Sequence, residues 1–355
     1  MIGTLSALLS LAQTAGSTMP VGGNIPALRP AYTSKDYTNA VEAYGLLTPG
    51  SFARWGTIQW EVEYGDDYRG IDAQLNLCAQ YHVVPFILLE PIHWTDPDRW
   101  VPPVWSIPDR MKTMEGIVRR IEDRSRDLGL NPYYQLLNEP AGRCTNPPLD
   151  PKPGGSNRTS QGEWHPDLFK LMSAEIAVLS KLGVRPSRIV SPSISCILDG
   201  NIRSVTELAS ANTFDWSKVG TIAVNIGGSA SWATAKDFPD ASARMNQLKF
   251  GFRHNAETLR QVIAGNSVFA GKRVIITEFY GGPGRFGLDL APDGSFNTDV
   301  SDICQAEIDA FRAVVPTIIV WGTRAGEADA PNNRWLYYGV WPKWLAKQKA
   351  SAIRN

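Results

Sequence analysis

Residues 273–281 read RVIITEFYG, and this stretch gives the strongest indication of the fold. A short apolar run followed by glycine is typical of a strand buried on both faces, as in a parallel sheet covered by helices. The run contains Glu278, and a buried carboxylate is unfavourable unless it has a partner or a chemical use. The stretch therefore predicts a buried parallel strand with a functional carboxylate near its carboxyl end.

The rest of the chain alternates between β-rich and helical runs, the pattern of a parallel sheet with crossover helices. We predict eight strands, over residues 20–25, 51–56, 83–89, 133–137, 188–194, 221–226, 273–279 and 317–321. We predict helices over residues 34–44, 68–81, 109–128, 167–182, 254–264, 300–315 and 342–350. Ser34 is the expected N-cap of the first helix. This α/β pattern favours a closed (β/α)8 TIM barrel over an open sheet, with residues 1–355 in one domain.

The overall charge argues against a strongly charged partner. Lys plus Arg number 35 and Asp plus Glu also number 35, so no basic field is expected to attract nucleic acid or an anionic membrane. No apolar run reaches the ~18 residues that a membrane span needs. We therefore expect a monomer that binds neither nucleic acid nor membrane.

The first residues of the chain, MIGTLSALLSLA, are mostly apolar. They have the character of the apolar part of a signal peptide but lack its positively charged start. The spacing of the leucines also fits an amphipathic helix, and we favour such a helix packed near the barrel. These residues do not decide the cellular compartment of the protein, and secretion is the compartment that we favour.

Three long loops are predicted at the carboxyl ends of the strands, where barrel enzymes carry their sites. They span residues 91–108, 141–166 and 281–299. Long loops with no structure of their own are usually functional. His93 and Trp94 begin the first loop, and we expect both to line a substrate cleft, because a Trp ring can stack on a flat ligand face.

A second carboxylate ends the fourth predicted strand, where residues 136–140 read LLNEP. In an eight-stranded barrel the fourth and seventh strands lie on opposite sides of the mouth, so Glu139 and Glu278 can face each other. Glycoside hydrolysis needs two facing carboxyl groups, one protonated and the other ionised. The two strand ends therefore predict a pair of catalytic carboxyl groups.

The motifs NEP at 138–140 and TEF at 277–279 together resemble clan A of the glycoside hydrolases. Members of that clan are (β/α) barrels that retain anomeric configuration. The resemblance implies that Glu139 is the acid/base and Glu278 the nucleophile. It also implies that Asn138 binds the sugar 2-hydroxyl group.

Two further strand ends match the same clan. Arg54 lies in FARWG at the end of the second predicted strand, and Trp321 lies in IVWG at the end of the last. The resemblance implies that Arg54 keeps Glu278 ionised, since a nearby guanidinium stabilises a carboxylate. It implies that Trp321 forms the floor under a sugar ring.

The sixth predicted strand departs from this resemblance. Many clan members carry a Tyr or His there that touches the nucleophile, whereas residues 223–228 read AVNIGG. Asn225 is the candidate for that hydrogen bond in this chain. Tyr280, which lies two residues after Glu278, is a possible substitute.

These residues predict a retaining, endo-acting glycoside hydrolase that cleaves β-glycosidic bonds in an oligo- or polysaccharide by double displacement. Its two carboxyl groups should stand ~5–5.5 Å apart, the separation of retaining enzymes. No cofactor or metal is expected, because the four histidines show no metal-ligand spacing. Two alternatives stay open: a non-catalytic carbohydrate-binding barrel, and a transglycosylase that uses the same carboxyl groups.

Overall fold

The chain folds around a ring of short parallel strands. The computed structural model describes residues 19–56, 67–89, 107–138, 166–195, 214–226, 240–279, 301–321 and 340–354. The strands are β1 (Gly22–Asn24), β2 (Phe52–Gly56), β3 (Val84–Leu88), β4 (Tyr133–Gln135), β5 (Ile189–Val190), β6 (Ile194–Ser195), β7 (Thr221–Ile226), β8 (Arg273–Phe279) and β9 (Thr317–Val320).

The ring closes because its first strand pairs with its last. β1 pairs with β2 on one side and with β9 on the other, and the other strands follow in chain order. β5 and β6 both pair with β7, so together they fill one position of the ring, which has eight positions. The predicted (β/α)8 barrel is therefore confirmed.

Helices surround the ring. They are α1 (Ser34–Gly45), α2 (Arg69–Gln80), α3 (Ile107–Leu128), α4 (Pro166–Lys181), α5 (Ala241–Ala264), α6 (Ser301–Arg312) and α7 (Val340–Arg354). Most lie close to their predicted bounds, but α5 begins at Ala241 rather than at residue 254. Asp240 caps its start by accepting from Ala243 N at 2.7 Å.

The N-cap of α1 is Thr33, and the prediction of Ser34 was wrong by one residue. Thr33 Oγ1 accepts from Asp36 N at 3.2 Å, and the Asp36 carboxylate accepts from Thr33 N at 2.9 Å. This reciprocal pair needs a carboxylate three residues after the cap. Asp36 supplies it for Thr33, whereas a cap at Ser34 would have Tyr37 in that place.

The core has two layers that the strands separate. The inside of the ring is filled by one cluster of buried side chains, made of Phe52, Phe86, Val190, Ala223, Ile275 and Ile319. A larger cluster lies between the strands and the helices. Successive residues of a strand point alternately into these two layers, as side chains in a strand do.

The fifth predicted strand, 188–194, is interrupted in the structure. β5 ends at Val190 and β6 begins at Ile194, with Pro192 between them. Proline has no N–H to donate to a strand ladder. Ser191 supplies local bonds there, since its Oγ donates to Pro192 O at 2.8 Å and accepts from Ala223 N at 2.9 Å.

Several predicted segments lie outside the described residues. They include the helix over residues 1–12, the loop 281–299 and nearly all of the loops 91–108 and 141–166. Within the described ranges, no helix combines the length and the apolar character that crossing a membrane requires.

Candidate active site

Arg54 is the centre of a buried polar network at the carboxyl end of the barrel. It points inward, because Phe52, two residues earlier in β2, also faces the inside of the ring. Its Nη1 donates to Glu278 Oε1 at 2.8 Å, and the two side chains are only 3% and 1% exposed. The predicted contact between Arg54 and Glu278 is therefore present.

Every nitrogen of the Arg54 guanidinium has an acceptor. Nη1 also donates to Asn24 Oδ1, Nε donates to Gln135 Oε1 at 2.9 Å, and Nη2 donates to Asn138 Oδ1 at 3.0 Å. A buried guanidinium is tolerated only when its charge and its donors are matched. Glu278 matches the charge, and three neutral oxygens accept from three of the other four N–H donors, so the guanidinium is fixed in place and in orientation.

Asn138 is held by its amide oxygen. Oδ1 accepts from Arg54 Nη2, from Ser193 Oγ at 2.6 Å and from Asn225 Nδ2 at 3.2 Å. These donors decide which way the amide points, because only its oxygen can accept. Nδ2 has no protein acceptor within the described part of the chain.

Asn225 holds Asn138 and is itself held by Thr277. Thr277 Oγ1 donates to Asn225 Oδ1 at 2.8 Å, and this bond orients the Asn225 amide. Its Nδ2 then lies against Asn138 Oδ1. Asn225 therefore belongs to the same network as Glu278, the residue to which it is predicted to donate.

A bulge in β8 turns Glu278 into the barrel. Ile275 faces the inside of the ring, so strict alternation would point residue 278 outward. β8 carries an extra residue, Thr277, between its pairings with two adjacent residues of β7, and its register with β9 shifts at the same place. An extra residue reverses the alternation after it. Glu278 therefore faces inward, and Phe279 packs in the outer layer.

A similar reversal occurs after β4. Gln135 and Asn138 both contact the guanidinium although they are three residues apart. The two leucines between them, at 136 and 137, both belong to the outer layer. Gln135 Nε2 donates to Leu137 O at 3.0 Å, across this irregular step. The step brings Asn138 inward, as the bulge in β8 brings Glu278 inward.

Trp321 follows β9 directly, and its N–H donates to Phe279 O at 3.1 Å, which continues the pairing of the strands. Ile319 belongs to the inner cluster and Val320 to the outer layer. Alternation therefore places the half-buried Trp321 on the inner side. This is the side on which a sugar-stacking residue is predicted.

Four predicted site residues, Glu139, His93, Trp94 and Tyr280, lie outside the described residues. Glu139 comes directly after Asn138 in the chain, and the distance between its carboxyl group and that of Glu278 stays a prediction. Over the ranges that the structure covers, no group of three His, Cys, Asp or Glu side chains is placed to hold a metal ion.

Four members of the network are not among the residues predicted from the sequence: Asn24, Gln135, Ser193 and Thr277. Each is polar and lies at or near a strand end, among apolar neighbours. A polar side chain in such a place needs a buried partner, and this is the signal that could have identified them. The sequence does not say which partner each one has.

The sequence matches no protein-family model and no characterised protein. Solved structures are similar in fold. The catalytic domain of the GH26 endo-β-1,4-mannanase of Bacillus sp. JAMB-750 has a TM-score of 0.52 at 12% identity, over 98% of this chain and 92% of that one. A GH5-4 endoglucanase of Ruminococcus champanellensis is a weaker match, with a TM-score of 0.48 at 13% identity over 96% and 98%. The chain thus has the barrel fold of the clan that its strand-end motifs resemble.

Proposed function

We propose that the protein is a retaining glycoside hydrolase of β-linked saccharides, with Glu278 as nucleophile and Glu139 as acid/base. The observation that carries the proposal is the buried contact of Arg54 with Glu278 at the carboxyl ends of the strands. Such a pair is a weak source of stability, because desolvation offsets much of its attraction. Its place at the end of the barrel where enzymes of this fold carry their sites therefore favours a catalytic role.

The first half of the proposed reaction forms a covalent intermediate. The Glu278 carboxylate attacks the anomeric carbon, and the bond to the leaving group breaks as Glu139 donates its proton to the glycosidic oxygen. Arg54 assists because its charge stabilises the ionised Glu278 and its contact with Oε1 fixes the carboxylate.

The second half releases the sugar. Glu139, now ionised, takes a proton from water, and the water oxygen attacks the anomeric carbon and displaces Glu278. Two successive inversions leave the anomeric configuration unchanged. The same residue thus acts as acid and then as base.

The remaining predicted site residues bind the sugar in this proposal. Asn138 Nδ2 donates to the 2-hydroxyl group, a contact that strengthens at the transition state. Trp321 lies under the ring as a stacking surface. His93, Trp94 and Tyr280 complete the cleft, and the long loops give it several subsites, so that the enzyme cuts within a polymer.

A hydrolysis screen tests the proposal. The purified protein is incubated with β-glucans, mannans, xylans and aryl β-glycosides, and proton NMR follows the anomer that forms first. We expect cleavage of at least one substrate with retention. Glu278→Gln should abolish turnover. Glu175→Gln makes the same change at a fully buried glutamate of α4, and it should leave turnover in place.

The role of Glu139 has its own signature. Glu139→Ala should still form the covalent intermediate from aryl glycosides with good leaving groups, and added azide should partly restore turnover. Inversion of configuration, or normal turnover by Glu278→Gln, would contradict double displacement. Binding of polysaccharide without cleavage would favour the non-catalytic alternative, and longer products with an added sugar acceptor would favour the transglycosylase.

A further inference from the structure

Gln135 is fully buried and satisfied at both ends of its amide. Its Oε1 accepts from Arg54 Nε at 2.9 Å, and its Nε2 donates to Leu137 O at 3.0 Å. The two bonds fix the direction of the amide, since its oxygen must face the guanidinium and its nitrogen the carbonyl. Gln135 therefore connects Arg54 to the chain segment that leads into Asn138.

The guanidinium is bound on two sides. Nε and Nη2 face Gln135 and Asn138, which belong to the β4 segment, whereas Nη1 faces Asn24 and Glu278. The bonds from the β4 segment decide how the guanidinium is turned in its own plane. Without Gln135, Asn138 is the one anchor left on that side, and the direction of Nη1 toward Glu278 is less tightly fixed.

The bond of Gln135 to Leu137 O has a second effect. It spans the irregular step after β4 that brings Asn138 inward. Glu139 is the next residue in the chain. One side chain thus bears on the Arg54–Glu278 contact and on the backbone that carries the proposed sugar donor and acid/base.

We propose that Gln135 is a positioning residue for the glycosidase reaction, setting the geometry of Arg54 and of the 137–139 backbone together. This inference rests on the proposed function. Gln135 contacts neither substrate nor reacting atoms in this account and acts through Arg54 and Leu137. Its loss should lower kcat more than it raises KM, because it disturbs groups whose contacts strengthen at the transition state and leaves the stacking surface of Trp321 in place.

Gln74 offers a matched control. It is also a fully buried glutamine, with Oε1 accepting from Tyr44 Oη at 2.7 Å and Nε2 donating to Pro26 O at 2.6 Å. Gln74 lies in α2, and its partners belong to α1 and to the segment after β1, not to the polar network. Gln74→Met and Gln135→Met therefore remove the same groups from two equally buried places.

The experiment measures kcat and KM on a substrate that the wild type cleaves, across pH, together with crystal structures of both variants. We expect Gln135→Met to lower kcat by about tenfold to a hundredfold, as small misplacements of catalytic groups do. We expect it to shift the pH profile and to move Arg54 Nη1 away from Glu278 Oε1. Gln74→Met should change neither the profile nor that contact.

Gln135→Glu separates loss of the acceptor from general damage. It restores an oxygen for Arg54 Nε but not the donor to Leu137 O, so it should recover only part of the activity lost in Gln135→Met. An Arg54–Glu278 contact unchanged in Gln135→Met, or equal losses of kcat in Gln74→Met and Gln135→Met, would overturn the inference. A wild type that cleaves nothing would refute the proposed function, while the crystal structures would still decide whether Gln135 positions Arg54.

Discussion

Arg54 in β2 and Glu278 in β8 are joined by a 2.8 Å contact between Nη1 and Oε1, although two other strands, β1 and β9, lie between them in the ring. The contact therefore spans the inside of the barrel and does not follow its wall. Both side chains are withdrawn from water, so neither can exchange its partner for solvent. Breaking the contact from one side should have a large effect.

Arg54→Met should destabilise the fold by about 3–5 kcal/mol, because it leaves Glu278 buried without its cation. Urea unfolding followed by fluorescence measures the change. Arg120→Met is the control: its contact with Asp72 joins side chains that are 44% and 27% exposed, and surface pairs contribute at most ~1 kcal/mol. The double variant Arg54→Met/Glu278→Met should be more stable than Arg54→Met alone. If it is less stable, the uncompensated charge is not the cause.

Thr277→Val tests the support that the bulge gives to Asn225. Valine keeps the shape of threonine but lacks the hydroxyl, so Asn225 Oδ1 loses a donor at 2.8 Å. We expect a loss of about 1–3 kcal/mol in unfolding free energy and a lower kcat, because Asn138 is then less well held. Thr221→Val in β7 is the control, since its Oγ1 makes only a 3.4 Å contact with Ser187 O. A wild-type kcat in Thr277→Val would contradict the prediction.

Trp321→Ala should raise KM and lower kcat, since the inner side of the barrel loses a stacking surface. Trp341 is a poor control, because this α7 residue is fully buried with its ring centre 5.7 Å from that of Phe279. Phe250 is better, as an aromatic residue of α5 that is 60% exposed. The measurement is kcat and KM on a substrate that the wild type cleaves. Equal effects of Trp321→Ala and Phe250→Ala would contradict the stacking role of Trp321.

Stability at high pH should depend on Cys78. Burial raises the pKa of its thiol from an ordinary 9.0 to about 12. The folded state therefore keeps a proton that the unfolded state releases, and stability falls as pH rises from about 9 to 12. Cys78→Ala should make the unfolding midpoint in urea fall less steeply over this range. Some slope should remain, because burial also raises the pKa of Tyr44. A slope equal to that of the wild type would contradict the assignment.

The barrel could be predicted because its strands are apolar runs of characteristic length, and β7 and β8 have the predicted bounds. The contact of Arg54 with Glu278 was predictable from the order of the strand ends and the resemblance together. The predicted fifth strand, 188–194, runs through the break between β5 and β6, because the prediction gave the apolar residues of this segment more weight than Pro192. A local hydrogen-bonding rule decided that position against the pattern of hydrophobicity.

The orientation of Glu278 could not be read from the sequence. Residues 275–279 read IITEF, with apolar residues on both faces, so the pattern does not reveal where an extra residue enters. Gln135 was missed for a related reason. A buried polar residue indicates that a partner exists, but only the fold shows that the partner is Arg54.

Asn24 has a consequence for how the protein is made. Its Nδ2 donates to Val320 O at 3.0 Å and to Thr277 O at 3.1 Å, and its Oδ1 accepts from Arg54. The two contacts of Nδ2 join residues 296 and 253 positions apart in the chain, and contacts of such separation form slowly. On the ribosome, Asn24 and Arg54 emerge long before β8 and β9 exist. The polar network is therefore assembled only after nearly the whole barrel has been synthesised, and a nascent chain must keep these early strands from pairing elsewhere until then.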